Sequence, residues 1–382
     1  MIRMTTTTDK SPAVFNLRHA ATEMRQTALK ALARMFRPGE LVFAFRLRRE
    51  QGQDVLEGIS RRYTAIALIG LADEPDSVVS GILAGQSAQA VCNRLLDDIG
   101  VVEDLGDVAL TLWAARALRH PRAAEAVRHL RWRNPVNASC RTVELAWSLT
   151  ALVAPGDDAT DEELARALAG RLIESFHERS GLFPHWPRGS HAAWLRAHVS
   201  CFADLVYPIQ ALSHYHRRTG DMAALAAARQ CADRICRLQG PGGQWWWHYD
   251  VRTGRVIERY PVYAVHQDGM APMALLAIQD ASGMDYMAPI SHGMAWLARP
   301  PEIPGSLIDP AAGVIWRKVA RHEPHKLVRR GQALVSRLHP ALRLPGMDWL
   351  FRARDIDFEC RPYHMGWILH AWSPQRLSQL GS

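Results

Sequence analysis

The sequence predicts an all-α fold in which six helical hairpins close into a ring, an (α/α)6 toroid. Strand signals are almost absent, and apolar residues rich in Ala and Leu recur at helical spacing along the chain. In addition, six segments repeat one form, in which polar or charged residues lead into a helix that is apolar on nearly all sides. A helix of that composition is typical of a doubly buried inner layer.

The six apolar segments are predicted to be the inner helices. Their spacing is roughly 40 to 60 residues and larger near the end, so the repeat is one of architecture rather than strict period. The inner segments are 65–71, 108–118, 145–152, 205–212, 270–278 and 365–372. Amphipathic segments alternate with them and are predicted as outer helices, with 20–36 closing the ring; the others are 76–96, 121–132, 160–176, 221–238 and 284–297.

The 382 residues are predicted to form a single domain, with 1–19 as a flexible N-terminal segment and 20–382 as the toroid. No run of eighteen uncharged apolar residues occurs, and the start of the chain shows no secretory signal. The six cysteines are scattered, and most lie within apolar runs, which is typical of reduced thiols. These features predict a cytoplasmic protein.

The positive charge is concentrated in one insertion, residues 317–354. It holds ten Lys and Arg against two acidic residues (10 − 2 = +8), which equals the net charge of the whole chain (46 − 38 = +8). A local basic feature argues against a nucleic-acid-binding coat, and no nucleic-acid partner is expected. Because 325–344 mixes cations with Leu and Val, it is predicted to contact an anionic inner-membrane surface or a lipid-linked substrate, or else to pack as a solvated helix.

Catalytic candidates come from the polar residues that lead into the inner helices. In a toroid these N-terminal ends converge on one mouth, where helix dipoles favour anionic groups. The predicted acid/base carboxylates are Asp107, Glu144, Asp204 and Asp268, with Asp268 the first choice and Glu144 its partner. The alternative is that Asp107, Glu144 and Asp204 are helix caps or first-turn carboxylates, each of which contributes about 1 kcal/mol.

Residues 243–265 are predicted to form a small irregular or β-hairpin lid over the mouth. Three successive tryptophans cannot all face a core, and flat rings stack on sugar faces while charged groups hold hydroxyls or carboxylates. An aromatic plug is the alternative. The predicted substrate-binding residues, which include three near the last inner helix, are Trp245, Trp246, Trp247, His248, Tyr249, Arg259, Tyr260, Tyr263, His266, Arg361, Tyr363 and His364.

The segment Gln239-Gly240-Pro241-Gly242-Gly243-Gln244-Trp245 resembles the Q-x(3)-G-x-W turn of terpenoid cyclases and prenyltransferases. Similar turns close hairpins in six-hairpin glycosidases, polysaccharide lyases and glucuronyl epimerases. The resemblance covers most of the chain at the level of architecture and implies the toroid, but a shared fold does not fix chemistry.

Several chemistries are disfavoured by missing motifs. The D-x-D-D motif of class II terpenoid cyclases is absent, and 355–358 ends in Phe where its last Asp belongs. Asp357, Cys360 and His364 supply only the residue types of a prenyltransferase zinc set, so no metal is predicted. P-loop and G-x-G-x-x-G motifs are also absent, and no cofactor is expected.

The favoured function is therefore a carbohydrate-active enzyme acting on an oligo- or polysaccharide. Hydrolysis or transglycosylation would use paired carboxylates. Uronate elimination or epimerisation would use a base such as Tyr260, Tyr263 or His266, with Arg259 neutralising the sugar carboxylate. Recurring acidic leaders favour hydrolysis or transglycosylation. The alternatives are a terpenoid or polyprenyl cyclase or transferase, and a non-catalytic toroid that binds a glycan or partner.

Overall fold

A computed structural model describes residues 15–154, 161–190, 196–323, 327–339 and 341–380. Its sixteen α-helices within those residues are α1 Leu17–Met35, α2 Arg61–Leu71, α3 Asp76–Ile82, α4 Ala88–Leu96, α5 Leu105–Ala117, α6 Ala123–Trp132, α7 Thr142–Val153, α8 Glu162–Ser175, α9 Ala203–Thr219, α10 Met222–Arg237, α11 Ala271–Ser282, α12 Met287–Ala298, α13 Leu327–Leu338, α14 Met347–Leu350, α15 Pro362–Ala371 and α16 Pro374–Gln379. Residues 1–14 of the predicted flexible segment lie outside the described residues, whereas Leu17 already begins α1.

Six helices form a closed inner ring. Helices α2, α5, α7, α9, α11 and α15 each pack against the next in this order, and α15 returns to α2. Outside them lie α4, α6, α8, α10 and α12, and α1 packs against α15 and α12 to complete the outer layer. The predicted (α/α)6 toroid is thus confirmed.

The inner helices are apolar on all sides because they are covered on all sides. In α5 every residue from Val108 to Arg116 is buried, as is every residue of α7 from Glu144 to Val153. The ring closes tightly between α2 and α15, where a Cβ on Gly70 would lie 2.3 Å from the carbonyl oxygen of Gly366. Only a residue without a side chain permits this approach.

The fold is mainly helical as predicted, and it carries more short strands than the one lid hairpin expected from the sequence. They are β1 Phe36–Arg37, β2 Val42–Glu50, β3 Gln53–Ile59, β4 Val199–Cys201, β5 His248–Asp250, β6 Arg255–Glu258, β7 Val262–Tyr263, β8 Ile308–Asp309, β9 Val314–Ile315, β10 Lys318–Arg321, β11 Ala353–Asp357 and β12 Glu359–Cys360. The longest hairpin, β2–β3, turns at Gln51 and Gly52 with φ of 49° and 81°. Two consecutive positive φ angles are typical of a two-residue hairpin turn.

Two of the other small sheets contain strands of the predicted lid and of the basic insertion. Strands β4, β5 and β6 form one antiparallel sheet, so the predicted hairpin within 243–265 is observed. Strand β10 lies between β7 and β11, which ties the start of the insertion 317–354 to the lid. The predicted helix 325–344 is found as α13, and the predicted helix 76–96 is split into α3 and α4. No helix in the described part of the chain is both long and apolar enough to cross a bilayer.

Candidate active site

A cavity of about 340 Å³, here called the central cavity, opens at the mouth where the inner helices begin. The starts of α2, α7, α9 and α15 reach it, as does the single π-helical turn, His266–Met270, that precedes α11. Its lining comprises Arg62, Tyr63, Ile66, Arg141, Val143, Trp147, His185, Cys201, Ala203, Asp204, Tyr207, Trp247, Tyr263, His266, Met270, Arg317, Arg361 and Tyr363. Residues far apart in sequence are thus gathered at one mouth.

A larger cavity of about 470 Å³ lies at the other ends of the same helices. One of its carboxylates is engaged by an arginine: Arg376 binds both oxygens of Asp280, at 2.9 and 2.6 Å. The central cavity is the candidate active site, because helix N-termini, which bind anionic groups, meet aromatic rings there.

Asp204 and His185 form a coupled pair in the wall of the central cavity. Asp204 lies in the first turn of α9, where its carboxylate accepts hydrogen bonds from the Cys201 backbone N–H at 2.8 Å and from His185 Nδ1 at 2.9 Å. The loop that carries His185 is fixed to the start of α7, because the Thr142 backbone N–H donates to the His185 carbonyl at 3.0 Å.

The surroundings of His185 tune its basicity. Burial lowers the pKa of the imidazole, but the Asp204 carboxylate raises it by more, so the pKa lies above its ordinary value. Asp204 itself is fully buried, whereas 35% of the His185 side chain is exposed. A hydrogen bond from Nδ1–H to Asp204 leaves Nε2 as the basic nitrogen.

Two of the predicted carboxylates hold arginines at the rim. Asp107 accepts from Arg62 Nε at 2.8 Å, and Glu144 accepts from the Arg141 backbone N–H at 2.8 Å and from Arg141 Nε at 2.9 Å. Neither carboxylate lines the central cavity. Both carboxylates lie in the first turn of an inner helix and orient an arginine, so the guanidinium groups line the cavity and the carboxylates do not.

Asp268, the first-choice acid or base, lies outside the cavity lining. It is fully buried, and His364 Nε2 contacts its two oxygens at 2.8 and 2.9 Å. Burial raises the pKa of Asp268, and the neighbouring His364 opposes that rise. Asp268 and Glu144, the predicted acid/base partners, are each engaged by a different residue, His364 and Arg141. His364 is likewise absent from the lining.

An aromatic wall faces the guanidinium groups. The Trp247 ring stacks parallel to His266, with 5.8 Å between centroids and 9° between planes, and Tyr263 packs against both. Burial lowers the pKa of His266 to about 3, so this imidazole is neutral. Tyr63 and Tyr363 pack on each other at 4.7 Å on the α2–α15 side.

Several predicted binding residues are part of the core or lie elsewhere. Trp245, Trp246 and Tyr249 are buried in the core, and of the three successive tryptophans Trp247 is the one that lines the central cavity. Arg259 is exposed and lies over the Trp246 ring at 5.4 Å. Tyr260 donates to Glu302 at 2.9 Å. Apart from Trp247, none of these residues lines the central cavity.

Four guanidinium groups line the central cavity, and each is compensated. Arg361 binds Glu359 at 2.7 Å and donates to the Tyr63 hydroxyl at 2.9 Å. Arg317 also binds Glu359, at 3.1 Å. Together with the Arg62 and Arg141 pairs, these contacts hold the cations in place.

Sequence reasoning missed His185, Arg141 and Arg317 as site residues. His185 lies in a Gly-Leu-Phe-Pro-His-Trp turn that resembles a hairpin closure, and Arg317 lies in a segment interpreted only as a basic insertion. Arg141 leads into an inner helix, so its placement was a usable signal. Three ligand atoms, from His185, Cys201 and Asp204, lie within 4.8 Å of one another and are of the types that hold zinc.

A second cavity of about 420 Å³, here called the side cavity, adjoins the first. The two cavities are neighbours, because His185, Cys201 and Trp247 line both. The lining comprises His185, Trp186, Arg196, Val199, Cys201, Trp247, His248 and Arg329. The predicted binding residue His248 thus faces the side cavity.

Solved structures of sugar-active proteins share this architecture. The chain is similar to an unsaturated glucuronyl hydrolase specific for heparin (TM-score 0.59, 12% identity, 94% of this chain and 97% of that one). A second is the unsaturated glucuronyl hydrolase of Bacillus sp. GL1 (0.58, 14%, 92% and 95%). A third is a sugar epimerase from a ruminal bacterium (0.61, 10%, 95% and 99%).

Identities this low show the fold alone. The fold is therefore an (α/α)6 toroid, as the resemblance of the turn at 239–245 implied. No protein-family model matches the chain. No curated protein matches it either.

Proposed function

We propose that this protein is a carbohydrate-active enzyme that binds a sugar in the central cavity and moves a proton at a sugar carbon. The observation that carries the proposal is the His185–Asp204 pair in a cavity walled by Trp247, Tyr263 and four guanidinium groups. Aromatic faces stack on sugar rings, and charged groups hold hydroxyls and carboxylates.

Proton transfer is favoured over hydrolysis by the count of carboxylates. Hydrolysis by two carboxyl groups needs both within about 10 Å across the scissile bond. Among the described residues that line the central cavity, Asp204 is the one carboxylate, and it is occupied by His185. The neighbouring structures include hydrolases and an epimerase by name, so the fold does not decide between these reactions.

The residues suggest a division of labour. Asp204 fixes the His185 tautomer, and His185 Nε2 accepts a proton from a carbon next to a carbonyl or carboxyl group. Arg317 and Arg361 stabilise the negative charge that develops on oxygen. His266 is neutral, so it serves as a hydrogen-bond partner for a hydroxyl.

Ligand-induced melting shifts test the binding part of the proposal. The panel holds neutral oligosaccharides, uronate oligosaccharides, and prenyl diphosphates with terpenoid alcohols. A ligand at a hundred times its dissociation constant stabilises the protein by about 2.7 kcal/mol, which is readily measured. We expect saccharides to raise the melting temperature of the wild type and not of Trp247→Ala. The control Trp132→Ala removes an exposed ring on α6 and should respond like the wild type.

A shift with prenyl compounds alone would contradict the carbohydrate proposal and favour the terpenoid alternative.

We further propose that the basic insertion 317–354 contacts an anionic membrane surface. Helix α13 and the residues after it expose apolar side chains among the arginines: Leu338 is 76% exposed and Trp349 is 74% exposed. Exposed apolar groups beside cations are typical of interfacial segments. Vesicles containing phosphatidylserine should sediment the protein, and Leu338→Ser with Trp349→Ser should abolish this. Equal sedimentation by uncharged phosphatidylcholine vesicles would contradict the electrostatic part.

A further inference from the structure

The side cavity carries positive charge, and Glu323, the carboxylate that acts on Arg329, does not line the cavity. Arg196 and Arg329 both line it, and no acidic residue does so among the described residues. Neither guanidinium makes a hydrogen bond or ion pair with the described part of the chain. This differs from the central cavity, where Glu359, Glu144, Asp104 and Asp107 engage every arginine.

Two polar groups in the side cavity are buried without a partner. Arg329 Nε is inaccessible to solvent and unpaired, and so is His248 Nδ1 in a side chain that is only 3% exposed. Buried polar atoms that lack hydrogen bonds cost free energy, so a ligand that supplied a partner here would remove that cost.

The charges nearby act on both groups. Burial and the repulsion from Arg196 lower the pKa of Arg329. Burial, Arg196 and Arg329 together hold the pKa of His248 well below its usual range, so this imidazole is neutral. An anion between the two guanidinium groups would attract both and so offset their mutual repulsion. Guanidinium groups bind carboxylate, sulfate and phosphate through paired hydrogen bonds.

We propose that the side cavity is a subsite for an anionic substituent of the substrate. The inference rests on the proposed function. The substrate is then an oligosaccharide of at least two units, with the reacting unit in the central cavity. A neighbouring unit presents a carboxylate, sulfate or phosphate group to Arg196 and Arg329. Trp247 lines both cavities, and it packs against the oligosaccharide where the sugar passes from one cavity to the other.

The test compares dissociation constants by calorimetry for four matched disaccharides: neutral, uronate, sulfated and phosphorylated. The variants are Arg196→Gln and Arg329→Gln. The control, Arg354→Gln, removes the same charge from an exposed residue of β11 that lines neither cavity. Each of the two subsite variants should raise the dissociation constants of the anionic disaccharides at least tenfold. The dissociation constant of the neutral disaccharide should stay within twofold of the wild-type value. In the control, all four dissociation constants should stay within twofold of the wild-type values. The anionic disaccharide that loses the most affinity in the subsite variants identifies the substituent.

A direct anion measurement separates this inference from the proposed function. Inorganic sulfate and phosphate are titrated into the wild type and into Arg329→Gln, with the melting temperature as readout. Stabilisation of the wild type that is lost in Arg329→Gln supports the subsite, even if no disaccharide binds. The failure of every disaccharide to bind would overturn the carbohydrate proposal and leave the anion subsite standing. Equal stabilisation of both proteins, or equal weakening of neutral and anionic disaccharides in the subsite variants, would overturn the subsite.

Discussion

Replacing Asp204 by Asn distinguishes His185–Asp204 from His364–Asp268, the two histidine–aspartate pairs among the described residues in which the aspartate is fully buried. The carboxylate receives N–H groups from Cys201 and His185, at 2.8 and 2.9 Å. Both donors reach Oδ2, and His185 Nδ1 also lies 3.0 Å from Oδ1. An amide with its oxygen at the Oδ2 position keeps that acceptor, loses the charge, and turns an NH2 group toward His185 at the Oδ1 position. The variant therefore loses one hydrogen bond to a charged acceptor and should be less stable by about 1.5–3 kcal/mol.

The substitution also changes the titration of His185. The Asp204 charge is what raises the pKa of this imidazole, and the opposing effect of burial remains in Asp204→Asn. The ring should then lose its proton at a lower pH in the variant. Because the folded-state pKa is raised, the pair stabilises the native wild type fully below the unfolded pKa of about 6.5. That stabilisation is lost as the pH rises through the folded pKa.

Two measurements follow these effects. Ring-labelled histidine NMR reports the His185 titration, and urea unfolding at several pH values reports the stability. The matched control is Asp268→Asn, the same change in the other buried pair, where His364 lies 2.8 Å away. It should lower stability and leave the His185 titration where it is. An unchanged His185 titration in Asp204→Asn, or an equal change in Asp268→Asn, would refute the assignment of the pair.

Two further predictions concern stability. Gly243→Ala should destabilise strongly, by more than the roughly 1–2 kcal/mol of a left-handed backbone alone, because φ is +99° and the new Cβ would lie 2.1 Å from the His292 carbonyl oxygen. Gly220→Ala, with φ of +76° and open space, is the control and should cost only the backbone term in a urea titration. Glu258→Gln should lower the free energy of unfolding by about 1.5–3 kcal/mol, because the buried Arg321 loses its charged partner at 3.1 Å and keeps only Asp348, at 2.6 Å, as a carboxylate partner. An unfolding midpoint equal to that of the wild type would contradict this reading.

The ring could be predicted because its helices are defined by local composition. The predicted inner segment 145–152 lies within α7, and the predicted outer segment 221–238 matches α10 within a residue at each end. A helix buried on every side has few alternatives to an inner layer, and six such helices with amphipathic partners close a toroid. The β2–β3 hairpin was missed because its turn signal is only Gln51-Gly52, within an arginine-rich strand.

The candidate site was only partly predictable because its side chains pair across the ring. Sequence placed carboxylates at the starts of inner helices, and Asp204, Asp107 and Glu144 are there. Partners that are distant in sequence decide which carboxylate faces the cavity. Arg62 is hydrogen-bonded to Asp107, 45 residues away, and His364 to Asp268, 96 residues away. No local pattern encodes these choices, and none marks which tryptophan of a run points inward.

Solvent deuterium exchange tests the central claim most directly. The wild type and His185→Gln are incubated in D2O with neutral and uronate oligosaccharides, and the ring C–H signals are followed by NMR. The account predicts that the wild type replaces one C–H by C–D, and that His185→Gln does so about 10²–10⁴ times more slowly. Release of reducing ends with every C–H retained would contradict it, because that result is hydrolysis without proton transfer at carbon.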